Sequence, residues 1–96
     1  MNPSDPLATS LCAALDEELR DVRSLIESIS TVLVADEELA LRFLDMLQNF
    51  DLIVQRADES ARLLDRLAAG VCTNEAVADV RLEAMQARLR AYLRAA

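Results

Sequence analysis

Residues 36–70 read DEELALRFLDMLQNFDLIVQRADESARLLDRLAAG, and the spacing within this stretch decides the fold. At about 100° per residue, Leu39, Phe43, Leu47, Phe50, Val54, Ala57, Ala61 and Leu64 fall on one side of a single helix. Asp36 is an Asx-type N-cap, and Glu37 and Glu38 follow in the first turn, where the helix dipole favours acids. Gly70 supplies the C′ residue. The predicted helix over 37–69 is a rod of about 50 Å, which only an equally long neighbour can cover. A second apolar line, Leu41, Leu52 and Leu63 with Ile53 and Leu67, runs roughly opposite the first. A helix apolar on two sides needs two neighbours, here a third helix and a second subunit.

The long neighbour lies upstream. Asp5 followed by Pro6 is an N-cap with proline at the first helical position. From there Leu7, Leu11, Leu15, Leu19, Val22, Ile26, Ile29 and Leu33 recur by threes and fours as one core stripe. Asp16, Glu17, Arg20, Asp21 and Glu27 take the other face. Ser28, Ser30, Thr31 and Val32 are weaker helix formers, so this helix ends between Val32 and Ala35. A connection near 34–36 makes an antiparallel hairpin over 5–69, with residue numbers adding to about 70 facing each other and Leu19 level with Asp51. Downstream, 71–74 is a turn, and Thr73 or Asn74 caps a third helix over 74–95 that carries Arg88, Arg90 and Arg94 near its end. Residues 1–4 are a polar lead.

The fold expected is all-α: one domain over 1–96, a long antiparallel helical hairpin plus a shorter C-terminal helix. A chain of 96 residues buries a modest core, so dimerisation into a four-helix bundle is expected as well.

Composition narrows the chemistry. There is no histidine, which excludes Ser-His triads, histidine-ligated zinc and histidine phosphotransfer. The net charge of −7 argues against nucleic acid. Nine of the seventeen acids precede residue 42, so the acidity sits in the first helix and first turn. Cys12 and Cys72 read as reduced thiols of a cytoplasmic protein, since no secretory apolar segment is present and no apolar run reaches membrane-spanning length. The acids at 36–38 read as a helix start, without the converging ligands of a metal site.

On the middle turns of the long helix, LQNFDLIVQ places Asp51 and Gln55 four residues apart, one carboxylate stacked beside one amide. Both fall outside the core stripe, in a polar file with Gln48, Asp58, Arg62 and Asp65. Asp58 and Arg62 have the spacing of an ordinary ion pair within one helix.

This stretch resembles the active-site helix of the CheZ-type chemotaxis phosphatases, and more closely the short CheT-like variants. In these an acid and a glutamine in the pattern D-x-x-x-Q sit mid-helix on a long hairpin. The resemblance covers residues 5–69 and implies a dimeric four-helix bundle that dephosphorylates the phospho-aspartate of a CheY-type receiver domain in two-component signalling. It implies Gln55 as the residue that positions the attacking water and Asp51 as the contact to the receiver's lysine. Gln48, Leu52, Asp58 and Arg62 would border the docked partner. No cofactor of its own is implied, because the Mg²⁺ belongs to the receiver. The longer members dock receivers through a separate C-terminal segment; here an arginine-bearing helix stands in that place, so docking is expected on the hairpin and no residue is carried over from that segment. The alternative is a non-catalytic helical adaptor or dimerisation module that binds a receiver or a histidine kinase.

Overall fold

Asp5 opens the first helix as expected, its Oδ1 accepting from the N–H groups of Leu7 (3.0 Å) and Ala8 (3.3 Å). Helix α1, Pro6–Val34, is followed by α2, Glu37–Arg42, and α3, Leu44–Ala68; then come α4, Thr73–Ala78, and α5, Glu83–Ala95. This computed structural model describes residues 5–95, and the polar lead read over 1–4 lies outside them. Among the described residues there is no strand, and no helix is long and apolar enough to cross a membrane. The fold is all-α, with α1 and α3 packed along each other as the hairpin. It measures 52 × 25 × 17 Å, with a radius of gyration of 16.2 Å. A compact chain of this length would have about 12.5 Å, so the molecule is a rod.

The single helix expected over 37–69 is broken at Phe43, whose φ of −112° and ψ of 29° leave the helical region. Neither proline nor glycine causes the break. Hydrogen bonds run through it, from Phe43 N–H to Leu39 O (2.9 Å) and from Leu47 N–H to Phe43 O (3.0 Å). The bend folds α2 against the end of α1 and half-buries Leu39, Ala40 and Phe43, which a straight rod would carry past it. Asp36 caps α2, its Oδ1 accepting from Leu39 N–H at 3.2 Å. The acids at 36–38 are therefore a helix start, as the sequence implied.

Because α2 takes up part of the chain, the hairpin register differs from that of an even hairpin pivoting near Ala35. In that register Asp58 would lie level with Cys12. Instead Arg23 Nε lies 2.7 Å from Asp58 Oδ1, a displacement of about three helical turns. Leu19 is consequently not level with Asp51; Ser30 is.

The core stripe on α3 is as expected: Phe43, Leu47, Phe50, Val54 and Leu64 are half-buried, and Ala57 and Ala61 are buried. On α1 only Leu19, Ile26 and Leu33 of the expected stripe are covered, whereas Leu7, Leu11, Leu15, Val22 and Ile29 are exposed. One neighbour cannot cover so wide a stripe. The α1 seam is Cys12, Leu19, Ile26 and Leu33, with Asp16, Arg23 and Ser30 beside it, all at seven-residue spacing. No large side chain among the described residues is fully buried in the single chain.

Gly70 ends α3 at φ 91° in a Schellman motif: Val71 N–H bonds Arg66 O (3.0 Å) and Gly70 N–H bonds Leu67 O (3.1 Å). The third helix expected over 74–95 is two helices. Their junction is stabilised by side chains that donate to carbonyls of α4 and of the turn after it. Gln86 Nε2 donates to Val77 O (3.4 Å), Ala78 O (2.9 Å) and Val80 O (3.3 Å), and Arg66 donates twice to Ala76 O (3.1 and 2.8 Å). The N-cap is Cys72, without a side-chain cap bond, in place of Thr73 or Asn74. Ala76, Val77, Val80 and Met85 are buried, a small core alongside half-buried Leu63 and Leu67 of α3. The second apolar line of α3 is thus divided: its C-terminal part is covered by α4, and Leu52 and Ile53 are exposed.

Candidate functional site

Helix α3 carries three lines of residues at heptad spacing. The seam, Phe43 to Leu64, faces α1. Met46 and Ile53 lie on one flank of it, both exposed. On the opposite flank runs the polar file, Gln48, Asp51, Gln55, Asp58, Arg62 and Asp65. Since α1 is antiparallel, its bare apolar residues Leu11, Leu15, Val22, Leu25, Ile29 and Val32 share a side with Met46 and Ile53. Arg20, Arg23 and Glu27 share the side of the polar file.

Asp51 and Gln55 are both exposed, on successive turns of α3. Neither side chain makes a hydrogen bond or ion pair with another described residue. Leu47, Phe50 and Val54 pack behind them in the seam, so the two side chains project from a helix that is fixed from below. An amide here offers a carbonyl acceptor and two N–H donors, and the carboxylate beside it offers an anionic acceptor. The pair stands open to solvent. A cleft of about 340 Å³ lies between α4 and α5, lined by Asn74, Val77, Arg90, Leu93 and Arg94, none of them in the polar file. A small substrate is enclosed by its site, whereas this pair is exposed on the outer face of a helix.

The other expected border residues divide. Gln48 is exposed, and Leu52 is 42% exposed on the outer side of α3. Asp58 and Arg62 do not pair with each other. Asp58 is drawn toward α1, where Arg23 lies between it and Glu27, with Nη2 3.0 Å from Glu27 Oε1. Arg23 Nε is buried and, despite its 2.7 Å approach, is poorly aligned for a hydrogen bond, so the contact with Asp58 is an ion pair. Arg62 Nη1 lies 3.5 Å from Glu59 Oε1. The i,i+4 pairing expected from spacing fails because each partner has a nearer one across a helix junction or one turn away.

Two residues that bear on the site were not singled out in the sequence. Glu59, one turn beyond Gln55, is only 5% exposed, and its Oε2 accepts the backbone N–H of Arg81 at 3.2 Å. It fixes the α4–α5 junction beside the polar file. No sequence signal distinguished it from sixteen other acids. Arg23 did leave a signal: Asp16, Arg23 and Ser30 recur every seven residues beside the seam. Cys12 is buried in the seam and Cys72 is exposed, and neither forms a disulfide.

Compared with known families, curated proteins and solved structures, the chain matches none.

Proposed function

We propose that this chain is a protein phosphatase that accelerates hydrolysis of the phospho-aspartate of a CheY-type receiver domain. The observation that carries the reading is the exposed, unengaged pair of Asp51 and Gln55 on adjacent turns of a long, packed helix. The likeness of LQNFDLIVQ to the CheZ-type motif supplies the reaction. Gln55 enters the receiver's site, accepts a hydrogen bond from the water in line with the phosphorus, and donates to a phosphoryl oxygen. Asp51 pairs with the receiver's lysine and fixes the docking register. The receiver contributes its own Mg²⁺ and the phosphoryl group, so this chain supplies orientation alone.

The reading includes a homodimer. The bare apolar side of the hairpin is the surface a second copy would cover, since Leu11, Leu15, Val22, Leu25, Ile29 and Val32 follow the alternating three-and-four spacing of a helix–helix seam. Two hairpins joined through it form a four-helix bundle with both polar files outermost. The same bare side favours a second reading, a non-catalytic adaptor that binds a receiver or histidine kinase.

Decay of phosphorylated CheY-type receiver, followed with wild-type chain and with Gln55→Ala, separates the two. The phosphatase accelerates decay and the variant does not. An unchanged decay rate with wild-type chain sinks the enzyme; a variant as fast as wild type sinks the assignment of Gln55.

A further inference from the structure

The charges of this chain are unevenly spread. All seventeen acids precede Ala84, whereas Arg88, Arg90 and Arg94 follow it, so α5 ends in a positive segment on a chain of net charge −7. Two of these arginines, Arg90 and Arg94, stand four residues apart on one flank of α5, and both line the cleft of about 340 Å³ against α4. Arg88 lies on the opposite face, beside Tyr92 and Ala95.

The fold does not use Arg90 and Arg94. Neither side chain makes a hydrogen bond or ion pair with another described residue, whereas Arg62 and Arg66 of α3 each have an acceptor. Like charges four apart on a helix repel each other. The helix dipole offsets that repulsion for a cation in the last turn and fades beyond it, which accounts for Arg94 and not for Arg90. What the two share is the cleft.

The cleft itself is chemically mixed. Val77, 4% exposed, and half-buried Leu93 give it an apolar wall, and Asn74, one turn before Val77, gives it an amide. None of its lining residues is acidic. Its walls are held before any ligand arrives, because Gln86 of α5 donates to Val77 O and Ala78 O, and Arg66 of α3 donates twice to Ala76 O.

This donor set favours one kind of anion. Two guanidiniums offer two planar forks of N–H donors and two positive charges, and the amide adds two donors. A carboxylate, with one charge and two oxygens, is satisfied by a single guanidinium. A phosphate monoester carries nearly two charges and three terminal oxygens, which engage both guanidiniums and the amide. The volume is at the small end of the range for ligand cavities and exceeds a phosphate group, which leaves the space beside Val77 and Leu93 for an apolar body.

We infer that the α4–α5 cleft binds a small organic phosphate monoester, its phosphoryl group held by Arg90, Arg94 and Asn74 and its apolar part laid against Val77 and Leu93. The site shares no residue with the polar file of α3, and it does not rest on the phosphatase reading.

Phenyl phosphate at about pH 7, where it carries nearly two charges, is the probe. Titrated into isotope-labelled chain and followed by NMR, it saturably shifts the side-chain amide signal of Asn74 and the backbone signals of residues 90–94. Benzoate has the same kind of ring with one charge, and inorganic phosphate has the charge without the ring; each binds at least about tenfold more weakly. Arg90→Gln with Arg94→Gln preserves the helix-forming tendency of α5 and raises Kd by at least about thirtyfold, with helix content unchanged. Asn74→Asp, a nearly isosteric change at an exposed position, puts a carboxylate into the cleft and weakens binding by at least about tenfold. Arg88→Gln removes a charge from the other face of α5 and leaves Kd within about twofold. A loss in Arg88→Gln equal to that in the double variant overturns the inference, because attraction to the positive helix as a whole then accounts for binding. The absence of a saturable shift at these residues overturns it, as does an affinity that the Arg90 and Arg94 substitutions leave intact. Equal affinity for benzoate refutes the phosphate, and equal affinity for inorganic phosphate refutes the apolar body.

Discussion

On one side of the α1–α3 hairpin, Leu25, Ile29 and Val32 lie 67%, 53% and 71% exposed; on the other, Asp51 and Gln55 are exposed too. The two sides share a seven-residue spacing and a seam between them, yet solvent acts on them oppositely. Bare leucine, isoleucine and valine gain about 1.5–3 kcal/mol each by leaving water, with little demand on alignment. A bare carboxylate and amide gain nothing from burial as such and require a partner whose charges and donors meet them in one geometry. The apolar side is thus suited to permanent cover and the polar side to transient, specific contact. The hairpin lets each do its part because the seam keeps them about half a turn apart on the same helices.

The largest expected effect comes from breaking the apolar side. Leu25→Asp with Ile29→Asp places four carboxylates in the proposed dimer seam, and association weakens by at least about a thousandfold in Kd, read by sedimentation equilibrium. The polar file of each chain is complete within one hairpin, so the dissociated variant retains receiver dephosphorylation per chain. Wild-type chain that sediments as a monomer at micromolar concentration would refute the dimer.

The converse substitution acts only on the polar side. Gln55→Ala is expected to lower the accelerated rate by on the order of a hundredfold at saturating receiver, with dimer mass and helix content unchanged. A loss of both association and activity from either variant would mean that the two sides are not independent.

That division was only partly legible in the sequence. The core stripe of α3, the Asp5 and Asp36 caps and the Gly70 terminus could be read directly, because each depends on a few neighbouring residues. The face that α1 buries could not. Its apolar residues span more of the helix than one neighbour covers, and periodicity does not say which part meets α3 and which stays bare. The register was illegible for a related reason: it depends on the bend at Phe43, which no local breaker marks. At the site, the exposure of Asp51 and Gln55 followed from the helical plot. The capture of Asp58 by Arg23 did not, because it depends on the register; nor did the anchoring of Arg81 by Glu59, which depends on a helix break twenty residues away.

A smaller effect within the polar side separates orientation from chemistry. Asp51→Asn keeps the side chain's shape and loses its charge, so the proposed pairing with the receiver's lysine weakens. KM is expected to rise by about tenfold with kcat reduced much less, measured by receiver dephosphorylation across receiver concentration. If kcat falls as far as in Gln55→Ala while KM holds, Asp51 takes part in the chemical step and the docking role assigned to it is wrong.

The smallest effect concerns the one charge on the apolar line of α1. Along the line Leu11, Leu15, Glu18, Val22, Leu25, Ile29 and Val32, only Glu18 is polar, and it is exposed in the single chain. In a two-fold dimer that places the α1 helices antiparallel, Glu18 lies opposite the partner's Leu25. It costs stability there, as a single polar residue in a helix–helix seam does, while penalising registers that would bury it more deeply. Glu18→Leu should therefore tighten association by about tenfold and at the same time admit alternative alignments. Those appear as broadening in the distance between spin labels on the two partners. Tighter association with a single sharp distance would mean that Glu18 is a passive interruption, and that the flanking apolar residues already determine how the copies meet.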